Sequence, residues 1–317
     1  MKERIAYIIN PVSGITDKKA IADYISKTTD TGKFVFEIYY TKCMNDGFRQ
    51  SKEFAGNGFD RVIAVGGDGT VNEVARGLLG TDTALGIIPL GSGNGFARHI
   101  KISLNYQKAN QIAQTGKIIS SDYGILNDKP FFCTAGSGFD AQVGQRFSRI
   151  GRRGFVSYAQ ASFMEYIHYS PQNYKITIDG KTFSRRAFMV TFANASQWGY
   201  NAYIAPDANL NDGLIDLVIV SPFSFVIAPI IGLRVFTKSL YNSRNIEIYR
   251  VKEVTVEREK AGYIHIDGEP MNEGKILKIK TVSNQLKIIV PTNEKKMHSL
   301  LRYNILSIPL NGFNSKK

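Results

Sequence analysis

Four short apolar runs, RIAYIIN (4–10), FVFEIYY (34–40), RVIAV (61–65) and ALGIIP (84–89), alternate with segments of helical periodicity near residues 17–28, 45–57 and after residue 66. This alternation constrains the chain more than any other feature. Strands separated by helices pair in parallel, and a parallel sheet is covered by helices on both faces. In such sheets ligands bind beyond the carboxyl ends of the strands. Three of these ends lead into loops rich in Gly and Asn: NPVSG (10–14), GGDGT (66–70) and PLGSGNGFARH (89–99). Their convergence on one sheet edge predicts the site.

The second loop is the most informative. It follows a β-branched apolar run, and Val71, Val74, Ala75, Leu78 and Leu79 then recur at helical spacing. The glycines therefore stand where a helix begins, with unpaired amides and the positive end of the macrodipole. An anion suits that position. A tight strand-to-helix turn without a ligand is the alternative, and residues 65–80 alone do not separate the two.

Beyond residue 118 the pattern changes to short alternating strands with Asp-Gly turns: KIISSDYGIL, KPFFCTAGSGF, YKITIDGKTFSRRAFMVTFANAS, GLIDLVIV, EVTVERE, GYIHIDGEPM, ILKIKTV and QLKIIVP. The expected architecture is an α/β N-terminal domain with a parallel sheet (1–123, joined by 292–317), followed by a mainly antiparallel β sandwich (124–291). The length, 317 residues, suits two domains. A net charge of +13 favours an anionic partner, and the chain lacks an aromatic-interleaved basic motif for nucleic acid. Cys43 and Cys133 have no metal-type spacing and read as reduced thiols of a cytoplasmic protein. The N-terminus does not read as a signal peptide. The most apolar stretch, PFSFVIAPIIGL (222–233), contains two prolines and falls short of the roughly 20 residues a membrane span needs. It reads as a segment that dips into a bilayer or walls an apolar pocket.

Taken in order, the motifs Asn10-Pro11-Val12-Ser13-Gly14, Gly66-Gly67-Asp68-Gly69-Thr70-Val71-Asn72-Glu73, Pro89-Leu90-Gly91-Ser92-Gly93-Asn94 and Gly136-Ser137-Gly138-Phe139-Asp140-Ala141 resemble the bacterial diacylglycerol kinase family, as do DANLNDGLID (207–216) and DGEP (267–270). That family shares its catalytic domain with sphingosine and ceramide kinases, and its nucleotide-binding domain has the NAD kinase and phosphofructokinase-like form. The resemblance implies an ATP- and magnesium-dependent lipid kinase with nucleotide in a cleft between the domains. Phosphate needs backbone amides without intervening side chains, which Gly66, Gly67 and Gly69 permit. Asp68 would repel bare phosphate and makes sense as a magnesium-holding carboxylate; a helix cap is its other reading. Thr70 and Asn72 are candidate phosphate donors. The resemblance further assigns Asn10, Pro11, Ser13, Gly14, Thr41, Val71, Ser92, Gly93 and Asn94 to the nucleotide, and Asp140 and Asp267 to the acceptor side.

The same resemblance makes Glu269 the base that accepts the acceptor hydroxyl's proton; by itself IDGEPM reads as a hairpin with an exposed Glu. It also implies a structural metal at Asn209, Asp212 and Leu214, against an ordinary Asp-Gly turn. DGKT (179–182) lacks the first P-loop glycine and reads as a hairpin. QRFSRIGRRG (145–154) is either a solvated surface run or a contact for anionic lipid headgroups. Gly95 stands where many bacterial relatives have aspartate, and Gln142 and Gly144 where sphingosine kinases tend to be acidic. The leading expectation is γ-phosphate transfer from ATP to diacylglycerol by a cytoplasmic enzyme, monomer or homodimer, in peripheral contact with an anionic membrane. A sphingoid-base or ceramide kinase, a soluble-substrate kinase of the NAD kinase type and a non-catalytic lipid- or nucleotide-binding module are the alternatives.

Overall fold

The computed structural model describes residues 2–150 and 154–292. The first lobe runs β1 (Glu3–Ile9), α1 (Lys18–Thr28), β2 (Phe34–Tyr40), α2 (Asp46–Gly56), β3 (Arg61–Gly66), α3 (Asp68–Leu78), β4 (Ala84–Pro89), α4 (Gly95–His99) and α5 (Tyr106–Thr115). Its parallel strands stand in the order β2-β1-β3-β4. Strands β3 and β4 are buried along their whole lengths, which is why they read as continuous apolar runs instead of alternating ones.

The second lobe runs β5 (Lys117–Leu126), β6 (Lys129–Phe131), β7 (Thr134–Gly138), α6 (Phe139–Ile150), α7 (Phe155–His168), β8 (Gln172–Ile178), β9 (Lys181–Ala187), β10 (Met189–Ala193), β11 (Ile215–Val220), α8 (Ala228–Phe236), β12 (Ile246–Val251), β13 (Glu253–Arg258), β14 (Gly262–Ile266), β15 (Glu269–Glu273) and β16 (Ile276–Val290). One sheet of this lobe has the order β12-β11-β10-β7-β14-β15 and is antiparallel. It packs through Phe192, Leu217, Ile264 and Ile266 on Val254, Val256, Leu277 and Ile279 of the facing strands β13 and β16. The expected α/β lobe and antiparallel sandwich are both present.

Two local expectations are corrected. ILKIKTV and QLKIIVP are a single strand, β16, because the break between them is a register shift between Val282 and Leu286 instead of a turn. Residues 139–150, read as a turn and a surface run, form α6. The 222–233 stretch, expected to dip into a bilayer or wall an apolar pocket, is a loop leading into α8, and Phe223, Phe225, Ala228, Ile231 and Gly232 line a cavity.

Strand β16 ties the lobes together. Its last part pairs parallel with β4 (Ile288 opposite Leu85), so the parallel sheet continues into it. Antiparallel β5 follows it on both sides of the shift, from Lys117 opposite Val290 to Leu126 opposite Ile279. Leu286, Ile288 and Ile289 belong to the first lobe's core, whereas Leu277 and Ile279 belong to the sandwich core. The division expected at 123/124 thus falls inside a strand that serves both lobes. The expected return of the tail rests on residues 293–317, outside those described.

Candidate active site

The three glycine loops meet at the carboxyl edge of β1, β3 and β4. Gly14 has φ +63°, and a Cβ there would sit 2.1 Å from the Leu90 carbonyl oxygen, so any side chain would separate the first loop from the third. A Cβ on Gly91 would lie 2.7 Å from the Cα of Gly67, which joins the third loop to the second. Asn10 donates through Nδ2 to Thr70 Oγ1 at 2.9 Å, closing the set. Thr41 stands beside them, its amide bonded to the Ile9 carbonyl at 2.9 Å. Pro11, Gly14 and Ser92 face solvent, Gly69 and Gly93 are half-buried, and Ser13 is buried against Gly67.

Asp68 does not cap the helix that follows it. Gly67 is the N-cap of α3, and Asp68 is the first helical residue. Its carboxylate accepts instead from the backbone amides of Asn94 (2.8 Å) and Gly95 (2.9 Å), which locks the third loop onto the second. Removal from water pushes its pKa up to about 6, helped by the negative charge of Asp267; the two amides oppose that shift.

Asp267 comes from the other lobe. It and Gly268 form the two-residue turn between β14 and β15, with φ +47° and +89°, as an Asp-Gly hairpin requires. Its carboxylate accepts from the amides of Phe132, Cys133 and Thr134 and from Asn72 Nδ2 at 2.8 Å. Asn72, expected as a phosphate donor, thus ties the two lobes through its side chain. Val71, assigned to the nucleotide by the resemblance, has its side chain in the hydrophobic core and its amide bonded to the Gly67 carbonyl at 3.0 Å. The same hairpin carries Glu269 to the glycine rim, where its Oε1 lies 3.5 Å from the position of a Cβ on Gly69. Glu73, which the motif reading left without a role, accepts from the amides of Asn45 and Gly47 and holds the start of α2.

A cavity of about 480 Å³ is lined by the second lobe, joined by Asp68 of the first. Asp68 and Asp267 line it together with the apolar side chains of Phe139, Tyr166, Phe188 and Val220. Asp140, buried in its wall, accepts from Thr191 Oγ1 (2.8 Å) and faces His265 Nε2 at 3.1 Å. Sequence reading missed His265. The available signal was its place between Ile264 and Ile266, which both turn into the sandwich core and leave His265 on the cavity face.

Gly95 is crowded: a Cβ there would lie 2.9 Å from Cys133 Sγ and 2.9 Å from the Trp198 carbonyl oxygen. The aspartate of related chains would not fit beside those neighbours. Arg146 of the basic run pairs with Glu165 at 2.7 Å, tying α6 to α7. The side chains of Arg149, Arg152 and Arg153 lie outside the described residues.

No group of three or more His, Cys, Asp or Glu among the described residues has the geometry to hold a metal. Magnesium at the rim would therefore take one carboxylate, Asp68, and draw its other ligands from phosphate and water. That donor set fits a hard ion that keeps much of its hydration. At the second candidate, Asn209 Oδ1 accepts from the Asn211 amide and Asp212 Oδ1 from the Leu214 amide, as an ordinary turn would arrange. Asp122 takes the amides of Gly213 and Asn284, and burial with the nearby Asp122 charge raises the pKa of Asp212.

A two-lobed kinase is the class that this arrangement of glycine rim, facing carboxylates and apolar cavity defines. Residues 4–126 match the diacylglycerol kinase catalytic domain, and residues 133–290 match the YegS C-terminal NAD kinase beta sandwich-like domain. A diacylglycerol kinase of Bacillus subtilis (strain 168) is 32% identical over 281 residues, 84% of this chain and 90% of that one. A probable YegS-like lipid kinase of Chromohalobacter salexigens is 32% identical over 238 residues, 71% and 74% of the two chains. The crystal structure of a diacylglycerol kinase from Bacillus anthracis str. Sterne shares the fold, with TM-score 0.71 at 23% identity, covering 92% of this chain and 97% of that one. The chain belongs to the diacylglycerol kinase family and is a lipid kinase of that family.

Proposed function

We propose that the protein transfers the γ-phosphoryl group of ATP to the free hydroxyl of diacylglycerol, giving phosphatidic acid. The observation that carries this reading is a largely apolar cavity whose lining includes the carboxylates of Asp68 and Asp267. A water-insoluble acceptor fills such a space and presents its one polar end to the carboxylates. Asn10, Ser13, Thr41, Thr70, Ser92 and the amides of Gly66 to Gly69 and Gly91 to Asn94 would hold the nucleotide at the sheet edge. Magnesium would neutralise charge on the transferring phosphoryl group. The hydroxyl oxygen bonds the γ-phosphorus, the bond to the β-phosphate oxygen breaks, ADP leaves, and Glu269 takes the hydroxyl proton. Asp140 and Asp267 shape the acceptor end. A structural cation on Asn209, Asp212 and Leu214 is part of this proposal, as is reversible contact with an anionic membrane by a cytoplasmic protein; among the described residues no helix is long and apolar enough to cross one.

One observation favours a second proton acceptor. Asp68 lines the cavity and carries a raised pKa, whereas Glu269 is exposed at the rim. Radiolabelled γ-phosphate transfer against diacylglycerol, monoacylglycerol, ceramide, sphingosine and NAD tests the substrate. Label in phosphatidic acid is expected; label in NADP alone would overturn the lipid reading. Glu269→Gln should lower kcat roughly 10²–10⁴-fold, the span of general base catalysis. Unchanged turnover would transfer the base role to Asp68.

A further inference from the structure

We propose that the outward face of α8 and the loop before it form the surface by which the protein sits in an anionic lipid bilayer, placing the cavity mouth in the acyl region. This rests on the lipid-kinase reading above and adds the part of the molecule that meets the lipid.

Helix α8 is apolar on two sides. Ala228, Ile231, Gly232 and Val235 line the cavity, at spacings of three and four residues. Val226, Ile230 and Leu233, offset from them, point away from it and are 81%, 52% and 64% exposed. A helix that is apolar all round is normally buried. Here one side faces the cavity and the other faces water. Next to it, Phe163 of α7 and Phe225 line the cavity and are themselves exposed, with ring centroids 6.2 Å apart in an edge contact. The exposed face is therefore continuous with the cavity wall. An apolar surface of this kind marks an interaction site.

Charge selects the occupant. Between Asp216 and Glu247 the chain has no carboxylate, while Arg234, Lys238 and Arg244 are present. A short apolar helix flanked only by cations is the pattern of an interfacial segment on anionic lipid. A second copy of this chain would meet the same cations across the interface and would cover Phe163 and Phe225, closing the route into the cavity. A bilayer does the opposite: the acceptor's acyl chains pass from it into the cavity without crossing water.

The test uses the full chain and vesicles of phosphatidylcholine with or without phosphatidylglycerol, read by co-sedimentation. Wild type should partition onto the anionic vesicles and more weakly onto neutral ones. The triple variant Val226→Ser, Ile230→Ser, Leu233→Ser should partition at least roughly 100-fold more weakly, because three apolar side chains no longer transfer out of water. Its turnover of a short-chain diacylglycerol, monomeric in solution, should stay at the wild-type value. Unaltered vesicle binding by the triple variant would overturn the proposal. So would a wild-type dimer that the variant dissociates, with no partition onto vesicles. Partition that depends on these three residues, together with no phosphate transfer to any lipid, would leave this surface standing and overturn the lipid-kinase reading instead.

Discussion

Asn72 shows how a motif residue acquires a purpose that its neighbours in the chain do not reveal. It lies in the phosphate-type loop motif, yet its side chain reaches Asp267, 195 residues away, at 2.8 Å. Asp267 is satisfied in turn by three consecutive amides of Phe132, Cys133 and Thr134. Truncation of Asn72 leaves a half-buried carboxylate short of one donor. Asn72→Ala should therefore cost about 1–3 kcal/mol in urea unfolding. Its kcat should fall as the lobes lose their tie, while the KM for ATP stays near wild type. A raised KM for ATP with unchanged stability would return Asn72 to the nucleotide. Gly14, Gly66 and Gly67 were legible from the chain because close approach demands glycine locally. Asn72 was not, because an amide donates equally well to phosphate or to carboxylate.

At the scale of elements, α4 joins the third loop to the second lobe. His99, at its end, is buried and takes the Ser196 amide at Nδ1 (3.1 Å), with Ser196 Oγ at 2.8 Å. Burial, with Lys101 nearby, lowers its pKa from 6.5 to about 3. The unfolded chain thus binds this proton first, so the stability His99 contributes is present above pH 6.5 and is lost as pH falls toward 3. The slope should approach about 1.4 kcal/mol per pH unit where the unfolded imidazole is protonated and the folded one is not. His99→Asn should flatten Tm against pH between 6.5 and 4.5; an equally steep profile would show that another group sets it. The 207–214 loop offers a second check. If a cation holds Asn209, Asp212 and Leu214 as proposed, EDTA should lower Tm in the absence of nucleotide, and Asp212→Asn should abolish that shift. No change on chelation would leave the Asp-Gly turn as the whole account. The elements themselves were largely legible. Helix α6 was not, because its glycine and its arginine-rich end mimic a loop and its apolar face acquires meaning only against β14 and β15.

For the whole molecule, β5 and β16 decide the mechanics. Paired along nearly their entire lengths, they contribute side chains to both cores and leave no flexible linker between lobes. Unfolding should therefore be one cooperative transition, with the fluorescence of Trp198, the chain's single tryptophan, coincident with far-UV circular dichroism. Two separated transitions would show that the lobes fold independently and that the shared strands do not couple them.

Sequence alone determined what depends on short-range periodicity and on backbone geometry: the parallel sheet, the sandwich, three glycine loops at one edge and the Asp-Gly hairpin that carries Glu269. These follow from steric rules that each segment obeys by itself. Tertiary structure alone decided which polar groups remain open to a ligand. It committed Asn72 to Asp267 and Val71 to the core, oriented Asp68 through two amides of the third loop, and placed His265 beside Asp140. The reason is that a donor or acceptor takes whichever partner burial brings opposite it, and that partner lies far away in the chain.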